Sequence, residues 1–180
     1  MIAKYELLEN DTKEWGGIKL FRIRALTKVG FTVSVGDIGG YIESEKNLSM
    51  YRDAWVSGNA MVCGNAIVLG NAWVSGDARI FGDVIVGGNA RVHGSAWLHK
   101  ASDIQFYSGV GSSNGTLTVC RTEDGIQLTR GYLQESLEEF RATVISEYGK
   151  TSKFGEYYLR IANLIEFWFD IKPVEKREAA

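Results

Sequence analysis

A chain of 180 residues suits one domain, or one domain with a terminal appendage, which excludes a multidomain enzyme. With 45% hydrophobic and 23% charged residues it can bury a sizeable core, so a disordered segment is excluded too. The net charge of −2, from 20 basic and 22 acidic side chains, leaves no global basic field for general nucleic-acid binding, and any phosphate site must be local.

Near the start, Lys4 to Leu8 and Ile18 to Leu26 read as two strands joined through the polar stretch Glu9 to Gly17. Phe21, Ile23 and Ala25 alternate with Arg22 and Arg24, so one side of the second strand is apolar. Residues 1–48 are expected to form a β cap over whatever follows.

From Met50 to Ile104 an aliphatic residue recurs every six positions, through Val56, Val62, Val68, Val74, Ile80, Val86, Val92 and Leu98. A small residue follows four places after most of these, Ala54, Ala60 and Ala66 among them, preceded by a Gly-Asn or Gly-Asp pair such as Gly58-Asn59 or Gly76-Asp77. A period of six matches neither the α-helical 3.6 nor the heptad 3.5. Each hexad instead reads as a short strand and a corner, with Gly beside Asn or Asp supplying the bend. Three corners close a triangular coil, and residues 49–104 make about three coils stacked at roughly the 4.8 Å strand spacing. Alternation points Ala54 and Val56 inward and Trp55 and Ser57 outward. The outward positions fall on three faces. Trp55, Trp73 and Arg91 with His93 share the first, Met61, Arg79 and Trp97 with His99 the second, and Ile67 with Leu69, Ile85 and Asp103 the third.

Beyond the repeat, residues 105–180 are expected to form an α+β appendage. Gln105 to Tyr107, Thr116 to Arg121 and Ile126 to Arg130 read as strands, and the Asp124-Gly125 pair marks a hairpin between the last two. Ser136-Leu137-Glu138-Glu139 is a capping box that opens a helix ended by Gly149. A second helix runs from about Ser152 to Phe169, with Phe154, Tyr157, Tyr158, Ile161, Leu164, Ile165 and Trp168 as its packing stripe. The tail after Pro173 is charged and is expected to fray.

The Gly-Asn/Asp-Ala hexads resemble the hexapeptide-repeat left-handed β-helix, the architecture of many acyltransferases and of γ-class carbonic anhydrases. The resemblance implies left-handed coiling, which the period itself does not show. A wider resemblance, through Tyr5-Glu6-Leu7, Gly36-Asp37-Ile38-Gly39-Gly40-Tyr41, the hexads, Gly111-Ser112, Arg121-Thr122-Glu123-Asp124-Gly125 and Leu137-Glu138-Glu139-Phe140, is to phage and prophage hexapeptide-repeat proteins. It implies a genomic setting rather than an activity.

Hexapeptide acyltransferases take the acceptor's proton with a histidine on or near an extruded loop. Here the register runs unbroken, and the two histidines, His93 and His99, point from different faces. Three zinc ligands of γ type are not supplied, and Cys63 and Cys120 have no C-x-x-C spacing, so neither metal nor cofactor is expected. The glycine-rich stretch around Gly111, Ser112, Ser113 and Asn114 can turn N–H groups toward a phosphate, and Arg121 and Arg130 are expected to complete that anion site.

Trp55 and Trp73, with the aliphatic strip Ile67, Leu69 and Ile85, are expected interface anchors, because an outward apolar face needs cover. A homo-oligomer, a trimer first, is the expected solution. With no apolar leader and no long apolar run, the protein is expected in the cytoplasm, away from membranes. The expected function is non-catalytic: a phage-type binding protein that restrains a host defence component by capturing a nucleotide-like signal or occluding a protein surface. The alternative is an acyl-CoA-dependent acyltransferase using His93 or His99. A structural scaffold comes third.

Overall fold

The computed structural model describes residues 3–111 and 114–171. Ser112, Ser113 and the tail after Pro173 lie outside the described residues. The chain is mainly β: a β-solenoid of about three coils, preceded by a β segment and followed by a four-stranded sheet with two helices.

The first hairpin pairs β1 (Tyr5–Trp15) with β2 (Ile18–Ala25). Polar Glu9 to Trp15 continues the strand instead of looping, because Gly16 and Gly17 make the two-residue turn with both φ values positive. β2 pairs antiparallel with β3 (Ile38–Ile42), and β3 pairs parallel with β5 (Met61–Val62).

The hexads supply β4 (Trp55–Val56), β5, β6 (Ile67–Val68), β7 (Trp73–Val74), β8 (Arg79–Ile80), β9 (Ile85–Val86), β10 (Arg91–Val92) and β11 (Trp97–Leu98). They stack in parallel as three ladders, β4-β7-β10, β5-β8-β11 and β6-β9. Trp55 pairs with Trp73 and Trp73 with Arg91, the eighteen-residue step of a three-cornered coil. The aliphatic and alanine positions fill the interior and are almost wholly excluded from solvent. At the corners φ is positive, as at Gly58 (65°), where a Cβ would also stand 3.2 Å from the backbone nitrogen of Gly76 in the next coil. Glycine answers both demands there. The ladder begins before the hexads: Tyr41 pairs with Met61 and Leu48 bridges Val68, each twenty residues apart. The two extra residues fall at the corner around Arg52, whose φ is 58°.

This ladder has a direction. Parallel pairing bonds the coils in both senses, but at the strand ends and corners the N–H groups of each coil donate to carbonyls of the next, as Trp55 does to Ala72, Ser57 to Val74 and Asn59 to Gly76. The first coil is therefore left with an excess of unpaired acceptors and the last with an excess of unpaired donors, and buried groups of either kind must find partners. The N-terminal segment supplies donors: Lys4 Nζ to the Ala54 carbonyl (2.8 Å), Arg22 to that of Gly58 (2.9 Å), and Asn47 Nδ2 to those of Gly64 (3.1 Å) and Ala66 (2.8 Å). The other end supplies acceptors: Thr118 Oγ1 for Arg91 N–H (3.1 Å), and the Asp103 carboxylate for the N–H groups of His99 and Lys100 (both 2.9 Å). Asp103 thus turns inward and is buried, where alternation placed it on an outer face.

After the last coil, β12 (Ile104–Val110), β13 (Gly115–Arg121), β14 (Ile126–Arg130) and β15 (Leu133–Glu135) form an antiparallel meander. Cys120 of β13 enters the solenoid core, so this sheet closes the open end. The helices α1 (Leu137–Tyr148) and α2 (Lys153–Phe169) pack on the sheet through Phe140, Val144, Tyr158, Ile161 and Ile165 against Leu117, Val119 and Leu128. The capping box forms, with Ser136 Oγ accepting from Glu139 N–H (3.2 Å) and Glu139 accepting from Ser136 N–H (2.8 Å). The packing stripe of α2 is narrower than its apolar pattern: Tyr157, Leu164, Phe167 and Trp168 face outward and stay substantially exposed. No described helix is long and apolar enough to cross a membrane.

Candidate functional site

On the first face of the solenoid, Asn71 and Trp73 of one coil and Asn89, Arg91 and His93 of the next form the floor of a cavity of about 410 Å³. One wall is the tight loop Val29 to Val33, closed by mutual hydrogen bonds between those two residues and by Gly30 N–H donating to Asp53 (3.2 Å). The turn between β14 and β15, which carries Tyr132, also lines the cavity. Phe31 and Tyr132, at the two loop tips, are 99% and 87% exposed, so no described part of the chain uses either ring for packing. Arg91 lies over the Trp73 ring, 5.8 Å from its centroid. Among the described residues it has no acidic partner.

His93 is hydrogen-bonded through Nδ1 to Ser75 Oγ, one coil below. Burial, and then the positive charge of Arg91, hold its pKa below the ordinary histidine value, so the ring is neutral near pH 7. Its buried Nε2 has no hydrogen-bond partner among the described residues. The cavity thus brings together one unpaired cation, one neutral imidazole, two asparagines and three aromatic rings.

A second cavity, of about 520 Å³, adjoins the first and shares Asn89 and Arg91 with it. Asn114, Gly115, Thr116, Arg130, Tyr148 and Tyr158 are among its other walls. Gly131 lines this cavity and Tyr132 the first, so the turn between β14 and β15 stands at the junction.

The anion site expected around the glycine-rich stretch is divided by the fold. Asn114 and Arg130 share the second cavity. Gly111 faces another, beside Lys153 and Arg160, and is set by packing: a Cβ there would stand 1.9 Å from the Tyr158 hydroxyl. Arg121 is taken out of any shared pocket with Arg130, because antiparallel pairing puts the two at opposite ends of the β13-β14 ladder. There Arg121 meets Asp103 (3.6 Å) and the Phe169 carbonyl (3.3 Å). Ser112 and Ser113 lie outside the described residues.

The remaining expected residues also separate. Trp55 is not a surface anchor: the N-terminal segment folds over it, Tyr5 meets it edge to face at 6.5 Å, and it is only 1% exposed. Trp73 is half-buried under Arg91. Leu69 and Ile85 are exposed and Ile67 half-buried, so the aliphatic strip is open in the single chain. His99 lies on the other face, stacked on Phe81 (5.7 Å) and bonded through Nδ1 to Asp103 (3.0 Å), away from both cavities. Phe31, Arg91 and Tyr132 were not singled out by sequence reasoning. The signal that could have found two of them is the pair of Gly-aromatic turns, Gly30-Phe31 and Gly131-Tyr132, where an apolar ring sits at a loop tip without a strand or helix to bury it.

Fold and site together define a β-solenoid repeat protein with a cleft built between one solenoid face and two flanking loops. The family model described as YdcK beta solenoid repeat matches residues 54–70, 62–76 and 72–88, all within the stacked coils. No curated protein matches the chain.

Proposed function

We propose that this is a non-catalytic, phage-type binding protein whose cleft captures a nucleotide-like signal, and so restrains the host defence component that reads it. The phage setting rests on the sequence resemblance. The ligand class rests on one observation: the exposed rings of Phe31 and Tyr132 border the same cavity as Arg91, which has no carboxylate partner among the described residues. Aromatic rings stack on a base of any identity, and an unpaired guanidinium suits a phosphate. The same reading includes a homo-oligomer, a trimer first, closed over the aliphatic strip.

Calorimetric titration with AMP tests it. Arg91→Ala should weaken binding by about ten- to a hundredfold through loss of charge-assisted hydrogen bonds, and Arg121→Ala should leave it unchanged. No binding to wild-type protein, or equal loss in both variants, would refute the cleft as the site.

A second reading, an acyltransferase, would use His93, whose imidazole is oriented by its bond to Ser75 and whose unpartnered Nε2 is buried and would have to be uncovered to take a proton. Turnover of acetyl-CoA that His93→Ala lowers by about 10²–10⁴ while His99→Ala does not would replace the binding reading with this one.

A further inference from the structure

Resting on the nucleotide-binding reading, we infer that the ligand is a small dinucleotide, two bases joined through phosphate, lying across both cavities with its phosphate over Arg91. The two chambers, about 410 and 520 Å³, each fall in the lower half of the roughly 300–1,000 Å³ range of small-molecule sites, and they meet at Asn89 and Arg91. Each has its own aromatic lining: Phe31, Trp73 and Tyr132 in the first, and the half-buried Tyr148 in the second, backed by the buried Tyr158. The cation without a carboxylate partner sits at the junction. Arg130, inside the second chamber, already faces Glu147 at 3.5 Å. A ring-phosphate-ring molecule matches this order of surfaces, whereas a mononucleotide would fill one chamber and leave the other to solvent. A free small molecule is favoured over a nucleic-acid strand because the whole chain carries a net charge of −2.

Calorimetry with AMP, the linear dinucleotide ApA, cyclic di-AMP and a ten-nucleotide adenosine strand tests the inference. At least one dinucleotide should bind at least about tenfold more tightly than AMP, since each base stacked on an aromatic ring adds about that factor. Tyr148→Leu should erase that advantage while leaving AMP affinity intact, and Tyr148→Phe, which keeps the ring, should retain it. A circular dichroism melt shows that each variant is folded. Equal affinity for AMP and both dinucleotides would overturn the two-chamber inference and leave nucleotide binding standing. Tighter binding of the strand would overturn it in favour of nucleic acid, and failure of every probe to bind would overturn both readings.

Discussion

Lys4 shows how a single buried side chain serves the ladder. Its ammonium is almost wholly excluded from solvent to satisfy the Ala54 carbonyl. Burial, outweighing the opposing pull of Asp53, brings its pKa from 10.5 down to about 8. The folded chain then holds this proton less tightly than the unfolded chain, and between those two values the unfolded state binds more protons. Lys4's contribution to stability therefore rises with pH across that window and is lost as pH falls through about 8. Denaturant midpoints of wild type and Lys4→Met, followed across the window, should diverge in that direction. A constant difference would mean that Lys4 is not desolvated as described. Asp103 answers Lys4 at the other end of the solenoid, accepting from two backbone N–H groups while facing Arg121.

Among the elements, β3 is tightly constrained, because it lies against the first coil backbone to backbone. A Cβ on Gly40 would stand 2.7 Å from the Ala60 carbonyl oxygen and equally close to Val56 Cγ1. The carbonyl is fixed by its bond from Tyr41 N–H (2.8 Å) and cannot withdraw. Gly40→Ala should cost about 1–3 kcal/mol of stability, read as a lower thermal midpoint with cooperativity kept. Inside the coils, Val74 is fully buried at the centre of its ladder. Val74→Asp would bury a carboxylate without a partner, at a cost of several kcal/mol, and should abolish cooperative melting.

At the scale of the molecule, the three solenoid faces are treated differently. The first carries the cleft. The second is extended by the β1-β2-β3 sheet, with Trp15 packed on Phe81 and Trp97 (5.0 and 6.0 Å). On the third, Ile85 is 54% and Leu69 36% exposed, and the helices pack on the C-terminal sheet instead. Association over this strip should give a closed homo-oligomer, a trimer first, in sedimentation velocity, and Ile85→Glu should shift it toward a 20.0 kDa monomer. Wild-type protein that sediments as a monomer at micromolar concentration would remove the oligomer from the functional reading.

The solenoid was legible in the sequence because its determinants are local and periodic. An aliphatic residue, a small residue and a Gly-Asn/Asp corner repeat every six positions, and each hexad meets the same neighbours one coil away. The capping box at Ser136 and the hairpin at Asp124-Gly125 were legible for the same reason, since both close within a few residues. What only the tertiary structure decided is where non-repeating segments land on the coils. Trp55 has the alternation of an outward residue, yet Tyr5, fifty residues earlier, covers it. The cleft joins a loop at Phe31, a coil position at Arg91 and a turn at Tyr132, each unremarkable within its own segment. The roles of Lys4 and Asp103 follow from the direction of the hydrogen-bond ladder, a property of the stacked coils that no single hexad contains.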